Sequence, residues 1–240
     1  TILLEQDATG GHGFTSSMLF PSARSYGYSP NNINVMNVTY DGANYYASLQ
    51  LHNQTANYQD FGGNAFIMLA NIANLDTAFV VPAYGQVGSN VFIVDWGDGN
   101  TTLSNGAAYP THAYATPGDY TVAVHGNLSS MHYNDAGAAG DYVKEIQQWG
   151  DSHWQDLYAA FFECHNMNVT ATDAPNLSNC ANIHWMFVRN YALNADLSNW
   201  DTSNVTLMYQ MFQGANTFNG NISTWNTANV TNMSGMFWGD

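Results

Sequence analysis

The sequence predicts a multidomain protein of the β plus α/β class, and three observations lead to this. A motif of about 25 residues recurs from residue ~143 onward, a strand signal at residues 91–95 runs into a Gly-Asp-Gly turn, and two alternating stretches flank Asp41-Gly42. The predicted domains are therefore an unassigned β-rich segment at 1–63, a β-sandwich at 64–142, and about four repeats at 143–240, the last of them incomplete.

The repeat is clearest when equivalent stretches are compared. The stretch Trp200-Asp201-Thr202 returns as Trp225-Asn226-Thr227, and the apolar positions Met208, Met211 and Phe212 return as Met233, Met236 and Phe237. Apolar residues three and four apart predict a short helix, capped by Ser203 or Asn204 and stopped by Gly214. Residues 221–225 are predicted to be a strand. One helix and one strand per unit predict a right-handed α/β solenoid, with Phe162, Phe187, Phe212 and Phe237 stacked in its core.

These motifs resemble a known family. The pattern N-x-S-x-W-[DN]-T-[SA]-N-V-T-x-M-x-x-M-F, together with residues 144–151 and 172–178, is similar to the BspA-like leucine-rich-repeat surface proteins over residues ~143–240. The resemblance implies a leucine-rich-repeat-type solenoid in an exported adhesin or surface protein, and it points to no catalytic site.

A second resemblance lies upstream. The run Asp95-Trp96-Gly97-Asp98-Gly99 is followed by His112-Ala113-Tyr114 and by a Pro-Gly turn leading into an alternating strand at 120–124. Both stretches resemble the signatures of the polycystic-kidney-disease (PKD) domain, although the first lacks that family's Phe. The resemblance implies an immunoglobulin-like β-sandwich over 64–142.

Residues 33–40 and 45–51 alternate around Asp41-Gly42 and predict a hairpin in the otherwise unassigned N-terminal segment. At the other end the repeat stops inside its motif, with Met233, Met236, Phe237 and Trp238 at the edge. Two readings remain open. Either a second subunit covers this edge, which would build a head-to-tail filament, or the chain is truncated.

The charge composition restricts the classes of partner that the protein can bind. Only 9% of residues are charged, 18 are acidic, and the fixed cations are Arg24, Lys144 and Arg189, so the net charge is −15. A surface this poor in cations argues against binding nucleic acid or an anionic membrane. No continuous apolar run is long enough to predict a membrane span. The absence of an initiator Met fits a processed, secreted protein.

The sequence predicts several sites of covalent modification, namely N-glycosylation and a possible disulfide. Ten Asn residues stand in N-x-S/T sequons and are candidate glycosylation sites: Asn37, Asn53, Asn100, Asn127, Asn168, Asn176, Asn204, Asn221, Asn229 and Asn232. Cys164 and Cys180 lie less than one repeat apart. They can form one disulfide across adjacent repeats or remain two buried thiols, and the sequence does not choose between these.

No catalytic residues are predicted, because no motif for a nucleophile, zinc site or phosphate loop is present. His112 is interpreted as fixing a turn. Calcium is the one candidate cofactor, with Asp95, Asp98, Asn100 and Asp119 as oxygen ligands. The alternative is that these side chains hydrogen-bond their own turns.

The function predicted from these features is that of a secreted cell-surface adhesion or structural protein. Its expected partners are other surface proteins or glycans. The alternatives are a subunit of a head-to-tail extracellular filament and an accessory binding module of a secreted polysaccharide-processing system.

Overall fold

The computed structural model describes residues 34–40, 45–51, 64–76, 78–85, 91–104 and 108–239. The chain divides into two compact units, Thr1–Asn57 and Tyr58–Asp240. In the first unit, β1 (Asn34–Tyr40) and β2 (Tyr45–Leu51) pair antiparallel, with Tyr40 opposite Tyr45. This is the pairing that the alternating sequence predicts, while the Asp41-Gly42 turn lies outside the described residues.

Among its described residues, the second unit contains ten short strands: β3 (Phe66–Ile72), β4 (Phe79–Val80), β5 (Ala83–Gly85), β6 (Phe92–Asp95), β7 (Thr101–Ser104), β8 (Thr111–His112), β9 (Gly118–His125), β10 (Leu128–Met131), β11 (Val143–Gln148) and β12 (Asn168–Val169). Six of them form one sheet in the order β12-β11-β3-β9-β6-β7, which is antiparallel except for the β11–β12 pair. The pairs β4–β8 and β5–β10 are antiparallel as well.

The alternation of buried and half-buried residues explains why the central strands form. In β3, Phe66, Met68 and Ala70 are fully buried, while Ile67 and Leu69 between them are half-buried. Val122 and Val124 of β9 are buried in the same way. The two strands pair in full register from Phe66–Val124 to Ile72–Gly118, so their apolar residues form one buried face of the sheet.

The predicted fold class is wrong. Among the described residues the structure is nearly all β and has no α-helix, only two 3-10 helices at Tyr133–Asp135 and Gly137–Tyr142. Residues 221–225, predicted as a strand, form none. The predicted sandwich is not self-contained either, because β11 and β12, from the predicted repeat region, extend its sheet. The described part of the chain therefore holds no leucine-rich-repeat-type α/β solenoid.

The segments predicted as helices are successive tight turns. We call them the turn segments: residues 157–164, 183–190, 208–215 and 233–239. In the third, Met211 donates to Met208, Gln213 to Gln210 and Ala215 to Phe212, each N–H reaching the third residue back. A left-handed backbone recurs at the third and seventh positions of each segment, at Ala159, Glu163, Trp185, Arg189, Gln210, Gly214, Gly235 and Gly239. Left-handed residues cannot continue an α-helix.

Every second N–H of a turn segment crosses to the next repeat. Leu157, Ala159, Phe161 and Glu163 donate to the carbonyls of Asn182, His184, Met186 and Val188, and the following two segments repeat this arrangement with their own successors. Side chains reinforce these bonds: Asn168 Oδ1 accepts from Asn194 N, and Asn194 Oδ1 accepts from Asn219 N. Consecutive repeats are therefore joined mainly through their backbones.

Aromatic rings stack through the interior of the repeats. Phe161, Phe187, Phe212 and Phe237 follow one another at centroid distances of 5.9, 5.8 and 5.6 Å, with interplanar angles of 12°, 19° and 3°. Trp200 stacks on Trp225 at 6.0 Å, as the repeat predicts. The first ring is Phe161 rather than Phe162, because the spacing between the first two turn segments is longer by a single position than the later spacings. Phe162 lies half-buried outside the stack.

One buried position of the turn segments carries a polar residue where its equivalents are apolar. Asn190 occupies the eighth place of its turn segment, which Cys164 and Ala215 occupy in the neighbouring segments, and all three are fully buried. Neither polar atom of the Asn190 amide has a hydrogen-bond partner. An unpaired buried amide destabilises the folded state.

We expect Asn190→Ala to raise the free energy of unfolding by about 1 kcal/mol, because it removes the unpaired amide and leaves only a small cavity. Urea denaturation measures the change. The matched control is Asn194→Ala, which should lower stability because Asn194 hydrogen-bonds the next repeat. A lower stability for Asn190→Ala would contradict the expectation.

Candidate binding surface

A continuous row of aromatic side chains runs along one face of the second unit. We call it the aromatic strip, and its eight rings are Tyr84, Tyr109, His132, Tyr158, Phe162, His184, Trp185 and Tyr209. Tyr84 is 37% exposed and the others are half-buried. Each ring is thus held by its neighbours while part of it stays open to solvent.

Ring contacts link every member of the strip. Starting from Tyr109, the centroid distances along the row are 5.3 Å to Tyr84, 5.9 Å on to His132, 6.0 Å to Tyr158, 4.5 Å to His184 and 6.4 Å to Tyr209. Trp185 touches both Tyr158 and Tyr209, at 5.7 and 6.3 Å, and Phe162 touches Trp185 at 6.0 Å. The contacts are edge-on or tilted, which is the geometry that aromatic pairs favour.

The turn segments place these rings outside the core. In the first three segments the first, fourth, fifth and eighth positions point inward, so the second position points outward, and it carries Tyr158, His184 and Tyr209. Trp185 follows at a third position with φ of 61°, where the fourth segment has Gly235. A left-handed backbone is costly for a bulky residue. Its indole is held by a 2.9 Å hydrogen bond from Nε1 to Gln210 Oε1.

Polar groups border the rings. Asp156 Oδ1 accepts a 2.8 Å hydrogen bond from Tyr158 N, and Asn182 Oδ1 accepts one from His184 N at 3.2 Å. Asp156 and Asn182 are half-buried, so they stand beside the strip at solvent. Burial lowers the pKa of His184, only partly opposed by the charge of Asp156. The His184 ring is therefore uncharged at neutral pH.

Positive charge is scarce on this unit. The lysine and the arginine within the described residues are both paired: Lys144 Nζ lies 3.1 Å from Asp119 Oδ2, and Arg189 bonds Glu163 of the preceding repeat. Arg24 lies outside the described residues. With a net charge of −15, the protein repels polyanions.

The Asp-Trp-Gly-Asp turn fixes its own backbone. Asp95 Oδ1 accepts from Gly97 N at 2.9 Å and Asp98 Oδ1 from Asn100 N at 3.0 Å. His112 Nε2 donates to Asp98 Oδ2 at 2.7 Å while its ring stacks on Trp96 at 5.2 Å. His112 therefore fixes this turn, as the sequence predicts.

The four predicted calcium ligands are not brought to one point by these contacts. Asp95, Asp98 and Asn100 belong to the turn after β6, whereas Asp119 opens β9 and bonds Asn71 and Lys144. No cluster of three or more His, Cys, Asp or Glu residues suited to a metal occurs in the described part of the chain. The hydrogen bonds fit the turn-stabilising alternative.

Burial alone would raise the pKa of Asp98, but hydrogen bonds from His112 and Asn100 outweigh it and leave the pKa below its ordinary value. The ionised carboxylate thus stabilises the fold above the ordinary pKa, and this contribution is lost as the pH falls through the lowered one. We expect the melting temperature of Asp98→Asn to lie below wild type at pH 6 and the gap to narrow below about pH 4. Differential scanning calorimetry across this range tests it, and a gap that widens in acid would contradict it.

The remaining predicted residues are placed as follows. Cys164 and Cys180 are buried free thiols, the second of the two alternatives for them. Burial raises the pKa of both thiols, to about 11 for Cys180. Among the sequons, Asn100, Asn127, Asn204, Asn221, Asn229 and Asn232 are exposed, Asn168 and Asn176 are half-buried, Asn37 lies on β1, and Asn53 lies outside the described residues.

The head-to-tail filament stays a prediction. Met233, Phe237 and Trp238 are 43%, 47% and 66% exposed on the fourth turn segment.

In the described part of the chain, no helix is long and apolar enough to cross a membrane.

Sequence reasoning missed the aromatic strip. The signal was available, since His132, Tyr158, His184 and Tyr209 follow one another at intervals close to one repeat. It is hard to see because Tyr alternates with His and because the apolar core positions dominate the repeat.

Two family models match parts of the chain. Residues 155–240 match a family described as Mycoplasma protein of unknown function, DUF285, and residues 1–45 match a putative phage tail fibre C-terminal domain. Searches of the curated proteins and of the solved structures found no match. Each family match covers less than half of the chain.

Proposed function

We propose that this chain is an extracellular binding protein that attaches to a surface ligand through the aromatic strip and carries out no catalysis. The observation behind this is the strip itself, eight rings in unbroken contact along one face. Tyr and Trp dominate the energetics of binding interfaces because each ring offers apolar area together with a polar tip. Rings already held by neighbours lose little conformational freedom on binding.

The partial likeness to a phage tail fibre domain at residues 1–45 supports an assembly or attachment role for the N-terminal segment. In this proposal the segment joins the protein to a larger particle or cell surface, and the second unit contacts the target. Low charge and many Asn, Ser and Thr residues suit a surface solvated by amides, hydroxyls and glycans.

A competition assay tests the function. We expect excess purified chain to block attachment of the cells or particles that carry it, and the double variant Tyr158→Ala/Tyr209→Ala to lose this effect. The matched control is Tyr191→Ala: Tyr191 is 45% exposed and stacks on His165 at 5.0 Å, outside the strip. Equal blocking by all three proteins would overturn the proposed site, and antibody labelling only after permeabilisation would overturn the extracellular location.

A further inference from the structure

We infer that the ligand of the aromatic strip is a neutral glycan chain of β-linked pyranose units that lies along the stacked repeats. This inference rests on the proposed function and names the chemical class of its partner. Three properties of the strip carry it: the recurrence of one ring in each repeat, the polar groups beside the rings and the charge of the surface.

The spacing comes from the backbone. His132, Tyr158, His184 and Tyr209 stand one per repeat, and consecutive repeats are joined by backbone hydrogen bonds. The centroids of neighbouring rings lie 6.0, 4.5 and 6.4 Å apart. A row with one ring in each repeat suits a polymer of equivalent units, since each ring can stack on the apolar face of one sugar. Protein interfaces instead concentrate their energy in a few central residues.

The bordering polar groups suit sugar hydroxyls. Asp156 and Asn182 each use Oδ1 to accept a backbone N–H, which fixes the side chain and leaves its second polar atom for a ligand at the solvent-exposed border of the strip. A carboxylate oxygen accepts from a hydroxyl, and an amide nitrogen donates to one. Two consecutive repeats thus place a polar group beside a ring, whereas Leu207 takes the equivalent place beside Tyr209.

Charge selects among glycans. The described Lys144 and Arg189 side chains are both paired with carboxylates, so neither is free to neutralise a sulfate or a sialic acid. The pKa of His184 is lowered by burial, so that ring does not supply a cation at neutral pH. The surface therefore disfavours anionic polysaccharides and accepts neutral ones.

Titration calorimetry with cellohexaose and chitohexaose, alongside a heparin hexasaccharide, tests the inference. We expect one of the neutral hexasaccharides to bind, its disaccharide to bind at least tenfold more weakly because it covers fewer rings, and heparin not to bind. Tyr158→Ala and Trp185→Gly should each weaken binding by about tenfold or more, while Tyr191→Ala should not. Melting temperatures of all variants show whether each is folded, and Tyr209→Ala replaces any that is not.

Three outcomes would overturn the inference: no binding of either neutral hexasaccharide, binding that Tyr158→Ala leaves unchanged, and heparin binding as tight as neutral binding. If the ligand is instead a protein, the glycan inference is wrong but the proposed attachment function holds. In that case the chain attaches to its target surface, and protease treatment of the target abolishes attachment while periodate oxidation of its sugars does not.

Discussion

Replacing Phe212 by Ala is expected to lower the free energy of unfolding by about 3–5 kcal/mol. Phe212 is fully buried and stacks on Phe187 at 5.8 Å and on Phe237 at 5.6 Å, while Phe218 packs on it at 4.1 Å. Removing the ring opens a cavity that backbone-bonded repeats on either side cannot close. Equilibrium denaturation in urea, followed by tryptophan fluorescence, measures the loss.

Phe237→Ala is the matched control. It removes the next ring in the same stack, but Phe237 is 47% exposed, so we expect a loss of about 1 kcal/mol. Equal effects of the two substitutions would show that the stack is not a buried core and would refute the packing described here.

Gly97→Ala is expected to cost about 3 kcal/mol or more, because it combines an unfavourable left-handed backbone with a steric clash. Gly97 has φ of 78°, and a Cβ there would lie 2.4 Å from the backbone carbonyl oxygen of Thr121 in β9. That strand cannot move away without breaking the central sheet. Thermal and urea denaturation report the change in stability.

Gly137→Ala separates the cost of the left-handed backbone from the cost of the steric clash. Gly137 has φ of 59°, yet nothing lies within 4 Å of the Cβ position, so only the backbone cost of about 1 kcal/mol should remain. If Gly97→Ala were no more harmful than Gly137→Ala, the close approach of the Asp-Trp-Gly-Asp turn to β9 would be disproved.

The repeat and its internal equivalences could be predicted from the sequence, but its backbone could not. Apolar residues occupy the first, fourth and fifth positions of the turn segments and, apart from Asn190, the eighth position of the first three, and an amphipathic helix has the same spacing. What distinguishes the turns is the left-handed third and seventh positions. Ala159, Glu163, Trp185 and Arg189 stand there in the first two segments, and none of these residue types signals a left-handed backbone. Gly214, at the seventh position of the third segment, also fits a helix end.

The candidate site could not be predicted for a related reason. The periodicity is most visible in the buried positions, whereas the strip lies at the second position, where the residue type changes between Tyr and His. The turn around Asp98 and His112 was predictable because contiguous motifs encode it. A row assembled from single residues one repeat apart becomes visible only once the repeats are aligned on their cores.

The alternate N–H groups that cross between repeats have a consequence for how such a protein can change in length. An inner turn segment gives four backbone hydrogen bonds to the next repeat and receives three from the previous one, with a fourth reaching the residue just before it, and none of them requires a particular side chain. A complete repeat of about 25 residues can therefore be duplicated or deleted with every donor finding a new acceptor, whereas a single residue inserted inside a turn segment shifts the alternation and leaves donors unmatched. The protein can thus change in length by whole repeats, and each added repeat can carry one more outward-facing aromatic ring.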